Sequence, residues 1–293
     1  MPWIQINTTV TKDMAEPLSD AFMEANAASV TFADAQDQPI YEPEIGTTPV
    51  WSKTKVVALY DAEVNSQAVI DLVCQIEPSL SSQQFKTEVL EDKDWVRAWM
   101  DQFKPMKFGQ NLWIIPSWAK APCNDPTTVN LQLDPGMAFG TGTHPTTSLC
   151  LTWLDQNPPI NKTVIDYGCG SGILAIAAAK LKASLVKGTD IDPQAITASV
   201  QNSQRNNVDI DFRLVANFQS EPVDLVLANI LSGPLKELAP TFKKLLKPKA
   251  TLVLSGLLTT QANSLINFYT DLGFQFEEQN NLDDWSQLSF KNA

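Results

Sequence analysis

Through the first ninety residues the apolar positions change period several times. Trp3 to Thr9 alternates apolar with polar, as a half-buried strand does, whereas Met14, Leu18, Ala21, Phe22 and Ala25 recur every three or four residues and predict a helix from Lys12 to about Ala27. Strand alternation returns at Ser29 to Ala33. A polar, proline-containing stretch from Gln36 to Pro49 is followed by a strand at Val56 to Tyr60, a helix at Ser66 to Ile76 and a strand at Phe85 to Leu90. The order βαββαβ predicts a small ferredoxin-like α+β domain. Many binding modules share that architecture, so it assigns no activity by itself.

Asp94 to Phe103 reads as a short helix with Trp95, Val96, Trp99 and Phe103 on one side, a pattern suited to packing between domains. Pro105 ends it, and Pro116, Pro122 and Pro126 punctuate the chain beyond. These breaks divide the sequence into a first domain over 1–93, a semi-rigid linker over 94–125 and a larger domain over 126–293.

The larger domain has a different rhythm, with nearly continuous apolar strands separated by helices. Val164-Ile165-Asp166-Tyr167 runs into Gly168-Cys169-Gly170-Ser171-Gly172, and Ile173-Leu174-Ala175 opens a helix. A second strand, Leu185 to Asp190, precedes a helix from Pro193 to about Arg205, and a later strand, Val223 to Ala228, runs into Asn229-Ile230-Leu231. Such alternation predicts a Rossmann-like α/β domain with a doubly wound parallel sheet. Alternate glycines permit a sharp turn and close approach of a ligand to the backbone, and the next helix offers free N–H groups. Asp190, about 20 residues on, ends the second strand, where a carboxylate can accept hydrogen bonds from ribose hydroxyls. NAD and S-adenosylmethionine sites share that geometry. The loop reads Asp-x-Gly-x-Gly-x-Gly rather than Gly-x-Gly-x-x-Gly, and Asp166 suits a ligand that carries an ammonium and no phosphate, which favours S-adenosylmethionine.

Composition narrows the class further. At 293 residues and 44% hydrophobic content the chain can build two cores, and no apolar run approaches the roughly 20 residues of a membrane span. With no basic and apolar leader at the start, a cytoplasmic location is expected. Cys74, Cys123, Cys150 and Cys169 lack paired spacing, so neither disulfides nor a metal site is expected. Residues 1–95 hold 5 basic and 16 acidic side chains, so that third carries nearly all of the net charge of −12. An acidic surface repels nucleic-acid backbones and attracts a basic protein.

Taken together, Asp166 to Gly172, Thr189-Asp190-Ile191-Asp192-Pro193 and Ala228-Asn229-Ile230-Leu231 resemble a class I methyltransferase. Leu133 to Ser148, with Gly140-Thr141-Gly142-Thr143-His144-Pro145-Thr146-Thr147 at its centre, resembles more specifically the ribosomal protein L-eleven methyltransferases. Met1 to Gln5 and Leu90 to Trp95 fit the same family, so the likeness runs along essentially the whole chain. The resemblance implies S-adenosylmethionine as cofactor and methylation of the α-amine and lysine ε-amines of ribosomal protein L-eleven, with the acidic first domain docking that substrate. It implies no direct nucleic-acid or membrane partner, and a monomer is expected.

The site residues carried over are Thr147, Gly168, Gly170, Asp190 and Asn229 for the cofactor, with Thr141 a second candidate. Asn229 is the expected catalytic group, because its amide oxygen can accept amine hydrogens and aim the lone pair. Enzymes acting on planar nitrogens carry Pro-Pro and an aromatic after this residue, whereas Ile230, Leu231 and Ser232 stand here. His144 is read as fixing the loop or capping the next helix rather than as a base, and Asp192 as a helix cap or an adenine contact. Two alternatives remain open: a methyltransferase for another amine, a small molecule or a nucleic acid, and a non-catalytic nucleotide-binding or ribosome-assembly module.

Overall fold

The computed structural model of the chain describes residues 2–38, 40, 49–90, 103–122, 125, 127–134 and 144–293. The expected helix over 94–103 (apart from Phe103), Thr141 with its flanking glycines, and Cys123 lie outside them. Two compact units are present, Met1–Met100 and Asp101–Ala293.

In the first unit, β1 (Trp3–Thr11), α1 (Lys12–Glu24), β2 (Ser29–Asp34), β3 (Lys53–Asp61), α2 (Ser66–Ile76) and β4 (Lys86–Leu90) follow the expected βαββαβ order. The strands form an antiparallel sheet in the order β2-β3-β1-β4. Alternate residues Ile6, Val10, Val56, Ala58 and Tyr60 turn inward against Leu18, Phe22 and Val73, which the helices supply at their own period. Asp13, Glu16, Asp20 and Glu24 leave α1 on its exposed side.

The second unit begins with a three-stranded sheet of β5 (Met106–Phe108), β6 (Leu112–Ile115) and β7 (Val129–Gln132). Thus the described part of the stretch read as a linker contains β5 and β6, and β6 pairs in parallel with β7. Then come α3 (Pro145–Gln156), β8 (Thr163–Tyr167), α4 (Ile173–Lys180), β9 (Leu185–Asp190), α5 (Pro193–Arg205), β10 (Asp211–Leu214), β11 (Val223–Asn229), α6 (Ser232–Leu245), β12 (Leu246–Leu258), α7 (Thr259–Asp271), β13 (Phe274–Leu282) and β14 (Trp285–Asn292). The seven-stranded sheet has the order β10-β9-β8-β11-β12-β14-β13. β8 to β12 run parallel, and β14 pairs antiparallel with both β12 and β13. One face is covered through Leu151, Leu154, Ile173, Leu174 and Ile176, the other through Leu235, Phe242, Leu265 and Tyr269.

Because chain order reverses between β8 and β11, their carboxyl ends open a crevice at the switch point, where ligands of such sheets bind. The opposite edge is latched. Thr163 donates from its amide and hydroxyl to Asp224 at 2.9 and 2.8 Å, and Lys247 donates to the other carboxylate oxygen at 2.9 Å, which ties β8, β11 and β12 together. Among the described residues no helix is long and apolar enough to cross a membrane.

Candidate active site

The glycine loop leaves β8 at the switch point and is folded largely by its own backbone. Gly168, Gly170 and Gly172 all have positive φ, at 78, 52 and 78°, a region that L side chains occupy only with strain. The amides of Gly168 and Cys169 donate to the carbonyl of Thr189 at 2.8 and 3.0 Å, so the turn is pinned to the end of β9. A methyl group on Gly172 would meet Ser199 Cβ at 2.8 Å, and one on Gly168 would meet Ile230 Cγ2 at 2.3 Å. The second contact joins the glycine loop to the segment after β11.

Asp190 stands where the sequence placed it, at the end of β9 and half-buried. One oxygen accepts from the amide of Gly170 at 2.9 Å and the other from that of Asp192 at 3.0 Å. Two amides fix the plane of the carboxylate and leave further lone pairs for a diol. Asp192 caps α5 by accepting from the amide of Gln194 at 2.8 Å. Asp166 is buried, with one oxygen accepting from the amide of Ala175 at 3.0 Å. Burial pushes its carboxyl up to about 7; the Ala175 amide opposes this and the charge of Asp190 adds to it.

Across the crevice, Asn229 ends β11 and donates through Nδ2 to the hydroxyl of Thr147, 3.3 Å away in the first turn of α3. Its Oδ1 is buried with no hydrogen-bond partner among the described residues. Such an orphaned acceptor is costly in a folded protein, and a donor from outside the described residues would satisfy it. His144 is the N-cap of α3, taking the Thr146 hydroxyl at 2.8 Å and the Thr146 amide at 3.4 Å on Nδ1. Burial lowers the pKa of the ring. The structure thus puts His144 in a capping role and brings Thr147 and Asn229 together.

Two further residues of the site were not expected from sequence. Gly256, with φ of 84°, lies under the backbone of Ile230, where an added methyl would be 2.3 Å from the carbonyl oxygen and 2.9 Å from the nitrogen. An isolated glycine inside the apolar run Leu252 to Leu258 was its only signal, since a glycine in a strand marks close backbone approach. Trp285 begins β14 and meets the His144 ring edge to face, with centroids 4.8 Å apart. Nothing local in the sequence distinguishes this tryptophan from the other seven.

S-adenosylmethionine fits the donors and acceptors present. The carboxylate of Asp190 suits ribose hydroxyls and the glycine-rich turn of Gly168 to Gly172 admits close approach, whereas Asp166, expected to attract an ammonium, is buried inside the sheet with its carboxyl raised to about 7.

Known proteins resemble this chain along its whole length. The chain matches the family described as ribosomal protein L11 methyltransferase (PrmA) over residues 2–293. A protein of that name from Hydrogenovibrio crunogenus is 69% identical over 290 residues, covering 99% of this chain and 98% of the relative. Another from Pasteurella multocida is 50% identical over 295 residues and covers 99% of both. The crystal structure of a ribosomal protein L11 methylase from Lactobacillus delbrueckii subsp. bulgaricus superposes with a TM-score of 0.59 at 31% identity, over 64% of this chain and 98% of that one. A class I methyltransferase sheet, its glycine loop and a full-length match therefore converge: the chain belongs to the ribosomal protein L11 methyltransferase family.

Proposed function

We propose that this protein transfers methyl groups from S-adenosylmethionine to the α-amine and lysine ε-amines of ribosomal protein L11. The observation that carries this reading is the Oδ1 of Asn229, buried and without a partner among the described residues, anchored through Thr147 and set across the switch point from the glycine loop and Asp190. The cofactor supplies an already activated methyl group, so the protein's task is chiefly positioning. Thr147, Gly168, Gly170, Asp190 and Asn229 hold the cofactor end of the site. Asn229 Oδ1 accepts an N–H of the incoming amine and turns its lone pair towards the methyl. Ile230 and Leu231 give this acceptor apolar neighbours rather than a stacking platform, which suits an aliphatic amine better than a planar one.

Only a neutral amine has the lone pair required. At neutral pH deprotonation costs about 1 kcal/mol for an α-amine and roughly 4 to 5 kcal/mol for a lysine. A lysine therefore gains more from a site that removes water from its ammonium. Among the described residues His144 is held as a cap, so the proton is assigned to solvent.

The excess acidic charge of residues 1–95 supports docking of a basic ribosomal protein on the first domain. A cytoplasmic monomer is the form proposed. The decisive test incubates purified protein with S-adenosylmethionine and unmodified ribosomal protein L11 and reads intact and fragment masses. Methyl-sized increments on the terminal amine or lysines are expected; cofactor binding without any increment would overturn the assigned substrate.

A further inference from the structure

We infer that the second unit carries a further ligand site, on the sheet edge opposite the methyl-transfer crevice, which takes a short zwitterionic peptide with its ammonium beside Glu278 and its carboxylate beside Lys162. The inference does not depend on the function proposed above. Its ground is a groove of about 530 Å³ beside α3, whose floor and wall hold unused hydrogen-bond donors and whose two margins carry opposite, unpaired charges. A cavity of that size is within the range that small ligands fill.

Strand register builds the floor. Leu225 of β11 pairs with Thr251 of β12 and Thr251 with Lys291 of β14, while Ser289 of β14 pairs with Glu278 of β13. Leu225 and Val253, the β12 partner of Ser289, belong to the core under α3, so the row lies on the face that α3 covers. Trp153 in the last turn of α3, with Pro158, Pro159 and Lys162 on the way to β8, forms the facing wall. Ser289 and Trp153 are only 2 and 7% exposed, yet neither the hydroxyl nor the indole N–H has a hydrogen-bond partner among the described residues. Buried donors are seldom left unused. The ladder shifts register between Phe276 and Glu278, and this bulge lets the successive residues Glu277 and Glu278 both line the groove.

The charges select the ligand. Lys291 is already engaged, donating to the Thr251 hydroxyl at 2.7 Å and meeting Glu277 at 3.6 Å. Lys162 and Glu278 are exposed and have no ion-pair partner among the described residues. They stand at opposite margins, because Lys162 immediately precedes β8 and β13 is the edge strand, four strand spacings or about 19 Å away. The inward reach of a lysine and a glutamate shortens that gap to about 10 Å, the span of three extended residues. A simple anion or cation satisfies one margin only, and a free amino acid holds its two charges too close together to meet both. A peptide of about three residues reaches both. Its carbonyl groups accept from the Ser289 hydroxyl and the Trp153 indole, while Leu225 and the two prolines give its side chains apolar contact.

The test titrates trialanine into the full chain and follows by NMR the indole N–H resonance that is missing from Trp153→Phe. A saturable shift of that resonance is expected. Lys162→Gln and Glu278→Gln alter exposed side chains and leave the fold intact, and each should weaken binding about threefold, the scale of one exposed ion pair. N-acetyltrialanine amide lacks both terminal charges and should bind about tenfold more weakly, the product of the two losses. No saturable shift, a shift confined to other tryptophans, unchanged affinity in either variant, or equal affinity for the two peptides would overturn the inference. The readout needs neither S-adenosylmethionine nor methyl transfer, so its failure leaves the assigned function standing. A chain that binds trialanine in this way but methylates nothing would overturn that function and keep the groove as a peptide site.

Discussion

Asp166 sits inside the sheet with its carboxyl raised to about 7, first by burial, with the Ala175 amide working against the shift and the Asp190 charge adding to it. A carboxyl with a raised pKa stabilises the fold most fully below its unfolded value near 3.9, and this contribution is lost as pH rises through about 7. Between those limits the folded chain keeps a proton that the unfolded chain has released. Asp166→Asn removes the titration while keeping the shape. In calorimetric melts at pH 5 and pH 8 the wild-type midpoint should fall with pH by about 4 °C more than that of the variant; equal slopes would assign the raised pKa no energetic role. Asn229 has the complementary prediction. Asn229→Ala leaves the glycine loop and Asp190 in place, so S-adenosylmethionine affinity should stay within about threefold while turnover drops about 100-fold, the scale expected from misplacing a reacting group. Calorimetric titration and initial rates read the two quantities separately, and unchanged turnover would remove Asn229 from the mechanism.

At the scale of elements the site depends on two places where backbone replaces side chain. Ile230 is held between Gly168, which its Cγ2 covers, and Gly256, which its own backbone covers. Through these contacts β8, β11 and β12 together position Ile230, the residue that follows Asn229. Gly256→Ala combines a positive φ with a clash against backbone, which cannot yield as a flexible side chain does. It should cost about 2 kcal/mol of stability and lower turnover more than it weakens cofactor binding. Gly233→Ala is the contrast, because nothing lies within 4 Å of the added methyl at the start of α6. It should be neutral or slightly stabilising in the same urea and kinetic measurements.

For the molecule as a whole, the uneven charge decides how a substrate arrives. With 16 acidic against 5 basic side chains in residues 1–95, the first third should draw in a basic protein far more strongly than a small cofactor of low net charge. Raising salt from about 50 to about 300 mM shortens the screening length to below the spacing of most surface charges. The KM for the ribosomal-protein substrate should therefore rise at least about threefold, whereas the dissociation constant of S-adenosylmethionine changes little. Steady-state kinetics at several salt concentrations, with cofactor titrations alongside, check this. A KM independent of salt would detach the acidic charge from substrate docking.

Much of this was legible in the chain because the signals are local. The βαββαβ order, the glycine loop, Asp190 at the end of its strand and Asn229 at the end of another follow from periodicities and turn residues within a few positions of one another. β5 and β6 were less legible, because strands of three and four residues hardly establish an alternation before they end. Tertiary structure alone decided the rest. β14 inserts between β12 and β13 instead of following chain order, which carries Trp285 to His144 from 141 residues away in sequence. Likewise only packing brings Gly256 beneath Ile230 and Thr147 beside Asn229. The sequence by itself determined which elements form and which chemistry each one carries, since propensity, capping and backbone freedom act over a few residues. Which of those groups face one another was decided by strand order and register, which depend on burying both faces of one sheet at once.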